Sequence, residues 1–450
     1  MRWRGIIQSF SRVGGTCKLT VLFGHPGGNP NSHNAALAHL EAGWLETFCV
    51  PWMPSSFVLH SLEQIRPWAS VANRLRRRRF SALETAPKVQ GRLSEIRRLL
   101  LRLLGRGGED LAYEANEWLM RTMARECDRP LVTAVHAYED CSLWQFERAK
   151  SLGKVCIYDM PIGYYPAWER TRERLAGRYW DWLPAEQPPS SRVVHPEQKR
   201  REMNLADLVL VPSSFVESTI REFHPGKKIA RAPYGVDLSF WRPLRGLSGE
   251  GPLQFIFVGQ ISLRKGIPLL LEAWKEAALS NAQLQLVGMW QLAPSKRLEL
   301  PDSVVWHPPC GPKALRELYQ AADVFVFPSF FDGFGLVLLE AMACGLPAIA
   351  SWATAGPDVL TSSCGRLIPT EDMQALVDAL RWFHQNRKSL PEMKRAARVR
   401  AELYTWDNYR RCVRQAVEPL MKEPHAGKGS SRLRKKRSPW RVCCDSTDGA

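Results

Sequence analysis

Two carboxylates in one glycine-rich segment have the spacing expected of a ligand site. Asp332 begins the turn Asp332-Gly333-Phe334-Gly335, and Glu340 follows eight residues later inside an apolar run that predicts a helix. Glycine lets a ligand approach the backbone closely, and a helix start presents unpaired N–H groups and a positive dipole end. The two acids would lie about two helical turns apart. Because a carboxylate accepts hydrogen bonds from two neighbouring hydroxyls, the segment predicts a site for a sugar or a phosphate.

The residues on either side predict that two strands hold this turn and its helix. Val324 to Phe327 is a short apolar run typical of a strand buried on both faces, and Ala348 to Ala350 begins another strand. An ordinary buried crossover, with a capping Asp and a single Glu, is the alternative. An unpaired carboxylate is costly to bury in an apolar helix, and this cost favours the ligand site.

A pair of adjacent cations precedes this segment. Arg264 and Lys265 lie between the predicted strand Phe255–Gly259 and a helix expected over Ile267–Ala278. Arg can bridge two oxygens and Lys acts as a compact point charge, so the pair suits a diphosphate at the mouth of a helix. Two solvated loop charges are the alternative.

The N-terminal half contains a second glycine-rich loop. It follows the predicted strand Leu19–Phe23 and precedes a helix expected over Ala35–Glu46, the position where a doubly wound fold binds phosphate or another ligand. The loop lacks GxGxxG, so a dinucleotide fingerprint is absent. Gly27 and Gly28 are the candidate ligand-binding residues, and a plain tight turn is the alternative.

A third group of polar side chains ends the predicted strand Pro130–Glu139. Ligands of open α/β sheets lie beyond the carboxyl ends of strands. His136 and Tyr138 are the two candidates for a ligand contact there. His136 is preferred, although a single histidine is more often structural than functional.

Composition and charge restrict the class of partner. The chain has 450 residues, 45% of them hydrophobic, and a net charge of +17, which allows two cores and suits an anionic partner such as phospholipid, acidic glycan or nucleic acid. The segment Arg66–Gly108 predicts a basic amphipathic helix that either lies on an anionic membrane or packs its leucines inward. Eleven Cys without CxxC indicate free thiols in a reducing cytosol. Neither a signal peptide nor a membrane span is expected.

These motifs together resemble the retaining, nucleotide-sugar-dependent glycosyltransferases of family 4, which have the GT-B fold. The family signature is an acid, seven residues and a Glu around a Gly-Phe-Gly turn, and here residues 332–340 are DGFGLVLLE, followed by AMACGLP. The segments LADLVLVPSSFV and PYGVD resemble the end of the family's first domain. Asp332 stands where the family usually has Glu, and Gln260 where it usually has Arg. The resemblance covers about residues 19–420.

The resemblance implies an α/β protein with the GT-B fold. Two Rossmann-like parallel-sheet domains would face each other across a cleft, with a C-terminal helix crossing back to the first domain. The expected divisions are an acceptor domain at 1–237, a nucleotide-sugar-binding domain at 253–403, the crossover helix at 404–422 and a disordered basic tail at 423–450.

The resemblance also implies an activity, the transfer of a hexose from a nucleotide-diphosphate sugar to an acceptor hydroxyl with retention. No covalent residue, cofactor or metal is implied. The expected partners are a nucleotide-sugar donor, a glycan or lipid-linked acceptor and an anionic membrane surface, at a cytoplasmic location; nucleic acid is not expected. The implied catalytic residues are His136, Arg264, Lys265 and Asp332, and the implied donor-binding residues are Gly27, Gly28, Gly333, Phe334, Gly335 and Glu340.

Two other functions fit the same residues. One is a different enzyme on this scaffold, such as a phosphorylase or an epimerase, since a fold does not fix a chemistry. The other is a non-catalytic GT-B relic that binds polyanions or membrane through its basic segments. The departures from the family pattern at Asp332 and Gln260 favour this second alternative.

Overall fold

A computed structural model describes residues 20–64, 72, 75–76, 78–103, 109–184, 195–244 and 251–422. The tail at 423–450 and parts of the predicted basic helix and of the interdomain linker lie outside these residues. None of the helices in the described part has both the length and the hydropathy to cross a membrane.

Two parallel sheets form the centres of two domains. The first has seven strands in the order β3-β2-β1-β4-β5-β6-β7, and the second has six in the order β10-β9-β8-β11-β12-β13. Runs such as LVLV in β6 and VFVF in β11 are buried along their whole length, as expected when helices cover both faces of a parallel sheet. The strands are β1 Val21–Gly24, β2 Leu45–Val50, β3 Lys88–Gln90, β4 Ala134–Tyr138, β5 Val155–Asp159, β6 Leu208–Val211, β7 Ile229–Arg231, β8 Leu253–Val258, β9 Ala282–Val287, β10 Val304–His307, β11 Val324–Phe327, β12 Ala348–Ser351 and β13 Gly365–Ile368.

Helices connect the strands, as crossovers between parallel strands require. They are Pro30–Glu41, Ser56–Glu63, Arg92–Leu103, Glu109–Glu126, Leu143–Ser151, Tyr165–Arg178, Pro196–Leu205, Ser214–Phe223, Ile267–Ala277, Pro294–Leu298, Pro312–Ala321, Leu336–Ala343, Gly356–Val359, Met373–Gln385, Leu390–Ala401 and Trp406–Lys422.

The final helix, Trp406–Lys422, packs on the first domain. Arg410 donates a hydrogen bond of 2.7 Å to Asn34 Oδ1 and forms an ion pair of 2.9 Å with Glu41. The buried ring of Tyr409 lies edge-to-face on Tyr234 at 5.7 Å. These contacts agree with the predicted crossing of the C-terminal helix, and the two parallel sheets agree with the predicted fold class.

Two sequence-based assignments in the first domain are wrong. The helix expected over Ala35–Glu46 begins at Pro30, because Asn29 forms a capping box with Ser32, and it ends at Glu41. The following residues, Leu45–Val50, form β2 instead. The segment 66–108 is not helical throughout, since it contains β3.

Candidate active site

The turn Asp332–Gly335, here called the DGFG turn, joins β11 to the helix Leu336–Ala343, here called the signature helix. Gly335 has φ +78°, and a Cβ there would lie 2.4 Å from the Phe327 ring, so this position requires glycine. Gly335 also provides no side-chain cap for the helix start. A helix N-terminus without a side-chain cap can stabilise an anion.

The structure brings Lys265 and Asp332 together. Lys265 Nζ forms an ion pair with Asp332 Oδ2, and Asp332 Oδ1 accepts a hydrogen bond of 2.8 Å from the Gly333 N–H. Burial alone would raise the pKa of Asp332, but the charges of Lys265 and Arg264 hold it below its usual value. Burial lowers the pKa of Lys265, and Asp332 offsets part of that effect. Lys265, which was predicted to bind the diphosphate, and Asp332, which was predicted to contact the sugar, thus form an ion pair with each other.

Arg264 lies beside the same turn. Its Nη1 donates a hydrogen bond of 2.9 Å to the Phe331 carbonyl, and its own carbonyl accepts one of 2.9 Å from the Phe330 N–H. Gly266, which follows Lys265, has φ +73°, and a Cβ there would lie 2.1 Å from the Pro328 carbonyl oxygen. This tight contact fixes the cation loop against the end of β11.

Glu340 lies within the signature helix and is half-buried. Desolvation raises the pKa of its carboxyl to about 7. Among the described residues, no side chain or backbone group donates a hydrogen bond to this carboxylate, and no cation pairs with it. The carboxylate therefore has acceptor capacity that a ligand with two hydroxyls would use.

The structure places His136 inside the first sheet rather than at its edge. The ring is fully buried in β4, with Nδ1 2.8 Å from His39 Nε2 and Nε2 3.6 Å from Asp159 Oδ2. Burial lowers the pKa of His136 to about 3, so the ring is neutral. Its contact with a donor sugar stays a prediction, and this location argues against it. Tyr138, the alternative, ends β4 and is also buried.

The two candidate glycines of the first loop differ in their surroundings. A Cβ at Gly28 would lie 2.6 Å from Arg78 Cα, so Gly28 has a packing reason to be glycine. A Cβ at Gly27 would meet only the His25 ring, at 3.6 Å. His25 Nδ1 in turn accepts a hydrogen bond of 3.0 Å from the Gly27 N–H. Ligand binding by either glycine remains a prediction.

The first domain covers the DGFG turn. A Cβ at Gly333 would lie 1.6 Å from the Pro161 carbonyl oxygen, and Ser213 Oγ donates a hydrogen bond to the Gly333 carbonyl. Asp358 Oδ2 accepts hydrogen bonds of 2.8 and 2.9 Å from Ser214 N–H and Oγ. Sequence reasoning missed Pro161, Ser213 and Asp358 as neighbours of the site. The segment LADLVLVPSSFV was assigned from the sequence only to the end of the first domain, so it gave no signal of this contact.

Comparison with known proteins gives a family for the second domain. The model of the family described as glycosyl transferases group 1 matches residues 245–400. A curated D-inositol 3-phosphate glycosyltransferase of Paenarthrobacter aurescens strain TC1 is 29% identical over 259 residues, which are 50% of this chain and 64% of the relative. Its namesake in Streptomyces coelicolor is 37% identical over 122 residues, 27% of this chain and 26% of the relative. The chain spans less than two thirds of the length of these relatives.

Solved structures share the fold over nearly the whole chain. Sucrose-phosphate synthase from Thermosynechococcus elongatus has a TM-score of 0.59 at 18% identity, covering 90% of this chain and 100% of that one. HepE from Anabaena, crystallised with UDP and glucose, has a TM-score of 0.54 at 14% identity, with the same coverage. The chain therefore has the GT-B fold, and its residues 245–400 match the glycosyl transferases group 1 family.

Proposed function

We propose that this protein transfers a sugar from a nucleotide-diphosphate sugar to an acceptor hydroxyl, with retention of configuration as in family 4. The observation that carries the proposal is Glu340, a half-buried carboxylate without a partner among the described residues, on the helix whose N-terminus adjoins Arg264 and Lys265. Desolvation raises the pKa of this carboxyl, so a hydrogen-bond donor in the site would stabilise its ionised form. A ligand that carries a diol at one position and negative charge at another can donate hydrogen bonds to Glu340 and pair with Arg264 and Lys265 at the same time.

Each residue has a distinct role in this proposal. Arg264 and Lys265 bind the diphosphate and stabilise the charge that builds on it as the glycosidic bond breaks. Glu340 accepts from the ribose diol. The N–H groups of Gly333–Gly335 and the Asp332 carboxylate orient the sugar. These two cations and the helix N-terminus supply positive charge at the leaving group, so the proposal includes no metal, cofactor or covalent protein intermediate.

The acceptor is proposed only by class, as a hydroxyl of a glycan or of a lipid-linked or otherwise anionic molecule. The curated relatives are named for D-inositol 3-phosphate, an anionic polyol. The net charge of +17 is compatible with an acceptor of that kind.

A donor screen tests the proposal. Melting temperature is measured with UDP, GDP, ADP and their glucose and mannose conjugates, with and without Mg²⁺, because a ligand that binds the folded state raises it. We expect one base to stabilise the protein, and UDP is tested first because HepE was crystallised with it. Turnover with that donor and the anomeric configuration of the product are then followed by NMR. Failure of every nucleotide to bind well-folded protein would instead favour the non-catalytic relic.

Peripheral membrane association is a second proposal, with its own observation. On the helix Arg92–Leu103, Leu93 is 85% exposed, Ile96 40% and Leu100 43%, and Arg97 lies at the surface of the same helix. The prediction that these leucines pack inward is wrong for Leu93 and Leu100, because Leu99 and the Glu95–Arg98 ion pair occupy the buried side instead. An apolar surface with adjacent cations suits an anionic bilayer.

Vesicle sedimentation tests this second proposal. Vesicles with anionic phospholipid should retain the protein at low salt, and the combined change Leu93→Gln, Ile96→Gln and Leu100→Gln should release it. Leu298→Gln with Val399→Gln is the control, because both side chains are exposed hydrophobic groups of the other domain. Equal retention of the triple variant and of the control would contradict membrane docking through this helix.

A further inference from the structure

Lys265 and Asp332 form an ion pair with each other inside the site. Each residue is only 9% exposed. Lys265 Nζ pairs with Asp332 Oδ2 and lies 5.0 Å from the centre of the Phe327 ring, while Asp332 Oδ1 takes the Gly333 N–H. Both carboxylate oxygens therefore have a partner, in contrast with Glu340.

A donor must break this pair, because it needs both members separately. Under the proposed function, on which this inference rests, the diphosphate needs Lys265 and the sugar hydroxyls need Asp332. Removing one partner of a buried ion pair leaves an uncompensated charge, which is strongly unfavourable. A nucleoside diphosphate that binds Lys265 leaves Asp332 without its ion-pair partner, with only the Gly333 N–H and the charge of Arg264 to stabilise it. A nucleotide sugar takes Lys265 and also donates hydroxyl hydrogen bonds to Asp332.

We propose that the Lys265–Asp332 pair makes the site selective for the intact nucleotide sugar over the nucleoside diphosphate product. Asp332 competes with the diphosphate for Lys265, and the sugar hydroxyls of the donor replace the hydrogen bond that the carboxylate loses. Once the sugar has been transferred, Asp332 recovers Lys265 and weakens the hold on the product. Arg264 donates a hydrogen bond to the Phe331 carbonyl, and its charge also favours the ionised form of Asp332, although less strongly than the charge of Lys265 does.

The length of the acid contributes to this competition. An aspartate keeps its carboxylate within reach of its own following N–H, and the Gly333 N–H fixes one oxygen while the other pairs with Lys265. No described carboxylate other than Asp332 contributes to the pKa of Lys265. Asp332 is therefore the side chain whose removal would free the cation.

The variant Asp332→Asn tests the inference by calorimetric titration with UDP, GDP or ADP and with the matching nucleotide sugar. Because a hydrogen bond to a charged group contributes enough for a tenfold change, we expect the variant to bind the nucleoside diphosphate about tenfold more tightly than wild type. The ratio of the affinity for the nucleotide sugar to the affinity for the nucleoside diphosphate should therefore drop at least tenfold. Sugar transfer should also fall, because Asp332 orients the sugar. Asp302→Asn is the control, because it removes an equivalent charge at an exposed position of the same domain.

The outcomes separate this inference from the proposed function. Wild-type binding of a nucleoside diphosphate, with unchanged or weaker binding by Asp332→Asn, would overturn the inference and leave the donor site intact. Absence of binding by both proteins would overturn both proposals. If Asp332→Asn does not fold, Asp332→Ser replaces it, since a serine hydroxyl can still accept from the Gly333 N–H without a negative charge. The same tighter binding is then expected of Asp332→Ser.

Discussion

The pH dependence of donor binding follows from Glu340. Its carboxyl has a pKa of about 7, against an ordinary value of 4.5, because burial disfavours the charged form. A diol that donates two hydrogen bonds favours the ionised form and lowers the pKa in the complex. Binding is therefore coupled to loss of a proton from Glu340, so donor affinity should fall as the pH falls through 7.

The size of the effect follows from the ionised fraction. With a pKa of about 7, about nine-tenths of Glu340 is ionised at pH 8, about half at pH 7 and about one-tenth at pH 6. If the bound pKa lies below about 5, the apparent affinity falls about tenfold between pH 8 and pH 6, which is about 1.4 kcal/mol. The raised pKa itself corresponds to about 3 kcal/mol of lost hydration, and the two diol hydrogen bonds, at roughly 1.5–3 kcal/mol each, are large enough to offset it.

Calorimetric titration of the donor at pH 6, 7 and 8, in buffers of different ionisation enthalpy, measures both the affinity and the number of protons released. Glu340→Gln is the matched variant: its affinity should be low and almost independent of pH, and it should approach that of wild type at pH 6. This variant also isolates Glu340 from Asp159 and Glu139, whose pKa values burial raises to about 7 as well. Retention of the full pH dependence by Glu340→Gln would refute the assignment of the diol to Glu340.

Two further substitutions test the surroundings of the site. Gly333→Ala should lower the melting temperature and slow sugar transfer, because its Cβ would lie 1.6 Å from the Pro161 carbonyl oxygen and would force the domains apart. Gly177→Ala is the control, because a Cβ there meets nothing within 4 Å. Equal melting temperatures and transfer rates of the two variants would contradict the contact. His136→Leu should reduce the free energy of unfolding by about 1–3 kcal/mol, because it leaves buried His39 Nε2 without its partner; urea denaturation measures this, and a raised KM for the donor at unchanged stability would show instead that His136 contacts the sugar.

Local chemistry was predictable from the sequence, whereas long-range partners were not. The DGFG turn, the helix after it and the adjacent cations each depend on residues close together in the chain, and the structure confirms these elements. The partner of Lys265 was not predictable, because Asp332 lies 67 residues away and either charge alone suggests a ligand. The contact between Asp358 and Ser214 spans 144 residues and joins two domains. The cap at Asn29 was not predicted from the sequence, and the helix start was therefore placed at Ala35 instead of Pro30.

The predicted site residues differ in their burial and in the partners that the fold gives them. His136 is fully buried: its Nδ1 lies 2.8 Å from His39 Nε2, whereas its Nε2 lies 3.6 Å from Asp159 Oδ2 and has no hydrogen-bond partner among the described residues. Lys265 and Asp332 are also buried, and each has the other as its partner. A donor can replace both partners, because its diphosphate can bind Lys265 and its sugar hydroxyls can donate hydrogen bonds to Asp332. Glu340 is half-buried, and no described residue donates a hydrogen bond to its carboxylate or forms an ion pair with it. Desolvation raises its pKa, so a diol that donates hydrogen bonds would stabilise the ionised form, and this makes Glu340 a stronger indication of a bound diol than His136, whose neutral ring lies inside the first sheet.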